Sequence, residues 1–301
     1  MKTKVLLLGG EGFLGSGLKE ELSERGIRFK SIDYDDMDLE SSSCIEPLVS
    51  ELEKTTHVVL LAAKIGRILF RLKPVESAFA NKMIFDNVMK AIDAANTRYG
   101  RKYDFTFYST SEIFGSVGKT DMITLQSKPR PLMLKTPRKA YANQKFMSEK
   151  YLKRILDSET LFSRLKIIRP FNVSGKHQRR GVVYDMIYDA LKTHHMWYST
   201  DTTRTITSAD YAKRLSVDAI MSEERLVECN LSENITVSME TLAETIRDVI
   251  GDKTITLVKR PPDKEIRFRQ TSMVDDTTTN QIGILKKCIA DIIEEMDNDR
   301  Q

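Results

Sequence analysis

The sequence predicts an α/β protein: a doubly wound parallel sheet with a smaller C-terminal lobe. Three observations predict it. Short uninterrupted apolar runs, such as Val5-Leu6-Leu7-Leu8 and Val58-Val59-Leu60-Leu61, read as strands buried on both faces. They alternate with longer helical patterns, an order that gives right-handed crossovers and a parallel sheet with ligands at its C-terminal edge. The first strand also runs straight into Gly9, Gly12 and Gly15 and then into the helical spacing Leu14, Leu18, Leu22.

The whole chain sets bounds on function. Its 301 residues suffice for a sizeable core, as one large domain or two intimate ones. No apolar run approaches ~18 residues, so no membrane span is expected, and Met1-Lys2-Thr3-Lys4 leads directly into a core strand, leaving no room for a signal peptide. Cys44, Cys229 and Cys288 are widely spaced and odd in number, as reduced thiols of a cytoplasmic protein would be. A net charge of +4 is too mild to imply nucleic acid, though it suits an anionic small molecule. His57, His177 and the pair His194-His195 lack zinc-like spacing with Cys or acids, so no metal is expected; His194-His195 reads as the polar end of a helix.

The glycines carry the first functional signal. Gly9 permits a tight turn, Gly12 lets backbone N–H groups approach a pyrophosphate, and Gly15 lets the helix pack against the strand with its positive N-terminus aimed at the phosphates. Alone, such a triplet is also an ordinary strand-to-helix turn; strand before and helix after favour a dinucleotide site, in which Phe13 and Leu14 of the same turn take part. The second strand, 27–32, ends at Asp33, an acid placed to accept hydrogen bonds from ribose hydroxyls and to repel a 2′-phosphate, which favours NAD over NADP. The competing reading is a turn aspartate in the acidic run 33–36. Asp38 and Leu39 follow closely and are assigned to the adenine edge.

Residues 41–54 read as a helix, and 58–63 as a buried strand whose small Ala62 and Ala63 allow close approach of a cofactor. A long helix is expected over 74–99, with Asn81 and Asn87 set among its apolar positions, and a strand over 105–108. Just past it stand Thr110, Ser111 and Glu112, hydroxyls and a carboxylate at the edge where substrate is met; capping of a short turn is the alternative. Tyr141 and Lys145 share a helical face, and a nearby ammonium favours tyrosinate, making Tyr141 a candidate base. By itself that pair is common on solvated helix faces. A strand at 165–168 leads to Arg169-Pro170-Phe171-Asn172. Beyond it the pattern gives helices at 181–192, 209–222, 239–251 and 284–296, short strands at 204–208 and 228–231, and a turn or loop at 259–263.

Taken in order, Gly9-x-x-Gly12-x-x-Gly15, Asp33, Thr110-Ser111-Glu112-x-x-Gly115, Tyr141-x-x-x-Lys145 and Arg169-Pro170-Phe171-Asn172-Val173-x-Gly175 resemble the extended short-chain dehydrogenase/reductase family of nucleotide-sugar epimerases and dehydratases. Weaker matches continue through 204–210, 230–232 and 260–263. The resemblance implies a Rossmann-type domain over 1–172, a substrate lobe over 173–301, NAD as cofactor, a nucleotide-diphosphate sugar as substrate and a homodimer built on helices 74–99 and 140–156. It implies that Tyr141 is the catalytic acid–base, that Lys145 binds the nicotinamide ribose and tunes Tyr141, and that Thr110 shares the substrate hydroxyl. Glu112 becomes a further acid–base group, and Ser111, Asn172, Arg204 and Arg260 contact substrate, the arginines at the diphosphate.

The family's chemistry runs through a transient keto-sugar. Thr-Ser-Glu resembles the UDP-glucuronate decarboxylases and the GDP-mannose 4,6-dehydratases, and Pro137-Arg138 is similar to the decarboxylases. Ala62-Ala63-Lys64-Ile65-Gly66, Asn81 and Asn87 look instead like GDP-fucose synthase, whose catalytic His has no counterpart at 181–183. Ser174 and Gln270 depart from the usual family residues. A dinucleotide-binding regulator without turnover is the remaining alternative, against which the Thr110, Tyr141 and Lys145 set argues.

Overall fold

The computed structural model describes residues 5–115, 123–124, 126–133, 136–200, 203–233, 235–261 and 281–298, apart from the side chains of residues 67 and 68. Pro262, Asp263 and Gln270 lie outside them. The strands are β1 (Val5–Leu8), β2 (Phe29–Ile32), β3 (His57–Leu60), β4 (Tyr103–Tyr108), β5 (Phe162–Pro170), β6 (Val173–Ser174), β7 (His195–Ser199), β8 (Thr203–Ser208), β9 (Leu226–Leu231), β10 (Ile235–Ser238) and β11 (Thr256–Arg260). The helices are α1 (Phe13–Glu24), α2 (Ile45–Leu52), α3 (Arg67–Leu72), α4 (Pro74–Tyr99), α5 (Lys139–Asp157), α6 (Val182–Thr193), α7 (Ala209–Met221), α8 (Met239–Ile250) and α9 (Gln281–Asn298). Short 3-10 turns occur at Ser42–Cys44, Ser111–Phe114 and Pro131–Met133.

Two compact units result. The first comprises Met1–Gly115, Pro129–Arg169 and Arg214–Cys229; the second comprises Ser116–Lys128, Pro170–Lys213 and Asn230–Gln301. A single cut after residue 172 therefore does not describe the chain. Residues 214–229 return to the first unit because β9 lies beside β5 as the sixth strand of the central sheet, and the Leu165 N–H donates to the Arg225 carbonyl at 2.9 Å.

In the first unit the sheet order is β2-β1-β3-β4-β5-β9, with the pairs from β2 to β5 all parallel. The buried runs predicted from the sequence fill it: β1 and β3 are buried along their length, and Phe105 stacks on Phe162 with ring centroids 5.0 Å apart. Register decides the site. Leu8 pairs with Ile32 and Leu60, and Leu60 with Phe107, so the residues after these positions emerge at one edge of the sheet. α4 runs over its expected bounds because Pro74 opens it, where a missing N–H goes unnoticed, and left-handed Gly100 closes it.

The second unit has its own core, centred on Ile187, Leu242, Ile246 and Ile289. β10, β8 and β6 form one small sheet, and β11 pairs in parallel with β7. The loop expected at 259–263 is thus corrected for its first two residues. Lys259 and Arg260 belong to β11, opposite Tyr198 and Ser199; Lys259 pairs with Glu240 at 2.9 Å, and the Arg260 guanidinium lies 3.7 Å from the Trp197 ring centroid. His194 closes α6 in the left-handed region, and His195 opens β7 rather than extending the helix.

Candidate active site

The glycine loop separates what the fold requires from what a ligand would require. Gly9 sits at φ +95°, and a Cβ there would lie 2.6 Å from the Ala62 backbone nitrogen. A Cβ on Gly15 would lie 2.6 Å from the Gly10 backbone, which explains its place on the helix face toward the turn. Gly12 differs: its φ is −71°, and the nearest atom to an added Cβ is 3.7 Å away. The chain itself leaves room for a side chain at Gly12, so a glycine there serves close approach from outside. α1 begins at this point with no side-chain cap and no acid in its first turn, a favourable seat for a pyrophosphate. Phe13 and Leu14, both half-buried, are the first residues of that helix.

Asp33 is held from two sides at the end of β2. Its Oδ1 accepts the Glu11 N–H at 2.8 Å and its Oδ2 the Ser31 hydroxyl at 2.7 Å, leaving each oxygen capacity for a further donor such as a ribose hydroxyl. The dinucleotide therefore fits the residues present. Ala62, half-buried, donates its N–H to the Leu8 carbonyl at 2.7 Å, with Ala63 next to it. Asp38 is exposed and accepts the Glu40 N–H at 3.0 Å, whereas Leu39 is buried in the core with its carbonyl taken by Asn87 at 3.0 Å. Asn81 holds the other loop, accepting the Lys64 N–H at 2.8 Å and donating to the Lys64 carbonyl at 3.0 Å. Both asparagines are thus loop clamps within α4.

Past β4, the 3-10 turn brings Thr110, Ser111 and Glu112 to the sheet edge, and α5 presents Tyr141 and Lys145. Thr110 caps the turn, its Oγ1 accepting the Glu112 N–H at 3.3 Å; the hydroxyl proton stays available, so capping and substrate contact are compatible. Ser111 is buried. Glu112 pairs through Oε1 with Arg138, while Oε2 is buried and accepts no hydrogen bond among the described residues. Tyr141 packs its ring against Phe70 at 5.1 Å, and the Arg138 guanidinium lies 5.3 Å from the Phe70 centroid.

The electrostatics differ from the sequence expectation. Burial holds the Tyr141 phenol well above its ordinary value, the Glu112 charge adds to this, and Arg138 opposes it. Lys145, expected to lower Tyr141, is buried too, and that pushes its ammonium down to about 7, with Glu149 countering. Its Nζ donates to the Tyr108 carbonyl at 2.8 Å and sits 5.9 Å from the Tyr141 ring centroid, closer to the ring of Phe107 at 4.5 Å. A half-neutralised cation directed elsewhere cannot pull the phenol down. Tyr141 as it stands is a proton donor.

In the second unit, Asn172 occupies the left-handed region at φ 38°, which asparagine tolerates, and donates its amide to the Thr205 carbonyl at 2.9 Å. Its Oδ1 is the atom left for a ligand. Arg204 is half-buried in β8 opposite Val237, and Arg260 is stacked on Trp197.

Sequence reasoning missed Phe70, Arg138 as the partner of Glu112, and Gly10, where an added Cβ would fall 2.2 Å from the Ser31 hydroxyl oxygen. Phe70 lies on α3, six residues without a recognisable period, and only the glycine pair at 9 and 10 carried a local signal.

Comparison with known proteins follows the same lines. A model of the family described as "NAD dependent epimerase/dehydratase family" matches residues 5–232. A GDP-6-deoxy-D-talose 4-dehydrogenase from Aggregatibacter actinomycetemcomitans is 27% identical over 177 residues, 58% of this chain and 54% of that protein; the match thus spans about half of that relative. Among solved structures, UDP-glucose 4-epimerase of Thermus thermophilus in complex with NAD superposes with a TM-score of 0.78 at 21% identity, covering 97% of this chain and 99% of that one. MoeE5 in complex with UDP-glucuronic acid and NAD gives 0.79 at 19%, covering 98% and 99%. These structural likenesses concern the fold.

Proposed function

The chain belongs to the NAD dependent epimerase/dehydratase family and is an NAD-dependent enzyme, and from that premise we propose that it rearranges a nucleotide-diphosphate sugar through a transient ketone. The observation that carries the reading is the assembly of Thr110, Glu112, Tyr141 and Lys145 past one edge of the sheet whose first loop suits a dinucleotide. NAD, when bound, supplies a hydride acceptor. Gly12, the start of α1 and Asp33 hold it, and Lys145 hydrogen-bonds its nicotinamide ribose. Thr110 and Tyr141 share the hydroxyl of the carbon that is oxidised, and Tyr141 Oη takes that proton as the C–H bond breaks and the ketone forms. Glu112, with one oxygen free and the other paired to Arg138, manages the next proton, beside the new carbonyl. Ser111 contacts the sugar, and Asn172, Arg204 and Arg260 of the second unit serve the nucleotide end.

Glu112 in a Thr-Ser-Glu turn favours the decarboxylase or 4,6-dehydratase branches, which need a second acid–base group. A second reading, an epimerase/reductase or dehydrogenase acting on a GDP-sugar, draws on the GDP-6-deoxy-D-talose 4-dehydrogenase likeness. Incubation with UDP-, GDP-, CDP- and dTDP-sugars, read by mass spectrometry with a Tyr141→Phe control, separates them. Loss of carbon dioxide, loss of water, no mass change, or gain or loss of two hydrogens marks decarboxylation, dehydration, epimerisation, or reduction or oxidation. Failure of every sugar in the panel to turn over would sink the proposal.

A homodimer through α4 and α5 is part of the reading, since Val75, Phe79, Met147 and Tyr151 on these helices are exposed. Sedimentation of Phe79→Asp/Met147→Asp against wild type tests it: both monomeric, or both dimeric, contradicts it. We place the protein in the cytoplasm; among the described residues no helix is long and apolar enough to cross a membrane.

A further inference from the structure

We propose that Glu149, gripped by Arg169, is a positioning residue that keeps the Lys145 ammonium charged beside Tyr141. The inference rests on the reading that Lys145 serves the reacting hydroxyl and the cofactor.

Glu149 lies one helical turn beyond Lys145 on the same face of α5, and both are almost wholly buried, 2% and 3% exposed. Both carboxylate oxygens are taken by one guanidinium: Arg169 Nε donates to Oε1 at 3.0 Å and Nη2 to Oε2 at 2.7 Å. Arg169, at the end of β5, is itself 3% exposed and lies 5.7 Å from the Phe114 ring centroid, so the fork is desolvated on every side. Its Nη2 also bonds Glu228 of β9, which accepts Lys153 Nζ at 2.7 Å. The result is a line of alternating charges: Lys145, Glu149, Arg169, Glu228, Lys153.

A buried ion pair of this kind is poor grounds for stability, because desolvation offsets much of the attraction. Its position gives it another use. Lys145 has burial working against its charge and Glu149 working for it. The groups facing Lys145 are Tyr141 and Glu149 from α5 and Tyr108 from β4, with Arg169 of β5 behind Glu149. Burial holds Tyr108 and Tyr141 protonated, so neither phenol offers a counter-charge. Glu149 does, and the two-point grip of Arg169 fixes where it does so.

The test titrates Lys145 directly in the full chain. Lysine carrying ¹³C at its ε-carbon is followed by NMR against pH, with Lys145→Met assigning the signal. Glu149→Gln keeps the shape and an acceptor for Arg169 while removing the charge. The Lys145 midpoint is expected to fall by about tenfold in the protonation equilibrium, and Glu149→Asp, which keeps the charge, to hold it near wild type. A midpoint unmoved in Glu149→Gln overturns the proposal. Should that variant not fold, Glu149→Asp with Arg169→Lys is read instead: the proposal expects an intermediate midpoint from the loosened grip, and an unchanged one overturns it. Undiminished turnover of Lys145→Met would sink the underlying catalytic reading while leaving the titration result in place.

Discussion

The two ends of β4 carry similar residue types under opposite arrangements. At its start, Asp104 is buried but fully matched: His57 Nε2 lies at 2.9 Å and Arg164 Nη1 at 3.0 Å. Burial alone would raise the Asp104 carboxyl, yet the bonds from His57 and Arg164 outweigh it and hold it below the ordinary carboxylate range. Neighbouring Lys166, equally buried, spends its ammonium on the carbonyls of Ser222 and Glu224. Beyond the other end, Glu112 keeps a buried oxygen without a donor among the described residues, Tyr141 is pushed up and Lys145 is pushed down to about 7. One end is paired and stabilises the sheet. The other is left with protons to exchange, the condition expected of groups that do chemistry.

Five experiments can break or sharpen this contrast. Tyr141→Phe removes the phenolic proton while keeping the ring on Phe70, and should lower turnover by about 10³-fold or more with NAD affinity nearly unchanged; a loss below tenfold would move the acid–base role elsewhere. Lys145→Met probes the depressed ammonium. Between about 7 and the unfolded value of ~10.4 the native state binds fewer protons, so wild-type stability rises with pH across that window. The variant should lack this rise, a difference of roughly 3 kcal/mol in urea melts from pH 7 to 10.

Glu112→Gln should slow the step after ketone formation by about 10²-fold while the first hydride transfer persists. It should also lower the ultraviolet titration midpoint of Tyr141, because the Glu112 charge helps raise it. At the paired end, Asp104→Asn should cost about 2 kcal/mol of stability and leave turnover within twofold. The depressed Asp104 carboxyl contributes fully above the unfolded value near ~4, and that contribution disappears as pH falls through the folded value, so the gap to wild type should close in acid. Equal damage to turnover would erase the contrast. Smallest, Gly12→Ala should weaken NAD about tenfold, ~1.4 kcal/mol, with an unchanged melting temperature, since the chain itself leaves space there. A falling melting temperature without weaker NAD binding would assign Gly12 to the fold.

Much of this architecture is legible in the residues. β1, β3, α4 and the turn after β1 are local features, set by apolar period, by Pro74 and Gly100 at the helix ends, and by the backbone clearance at Gly9 and Gly15. The short elements β7, β10 and β11 were not legible. Trp197 and Arg260 belong to strands because β7 and β11 pair across more than fifty residues, and no periodicity inside five residues announces a partner so distant. The same reason hid the return of 214–229 to the first unit.

For the site, the sequence by itself determined which residue types stand at which spacing: three glycines, Asp33 after the second strand, Thr110 and Glu112 past the fourth, Tyr141 and Lys145 a helical turn apart. Those are consequences of backbone geometry, which is read over a few residues. Only the tertiary structure decided the charge each group carries. Lys145 does not lower Tyr141; burial raises the one and lowers the other, while Arg138 reaches Glu112 from twenty-six positions away and Arg169 reaches Glu149 from twenty. Desolvation and counter-charge depend on what surrounds a group in space, and that is settled when the elements pack.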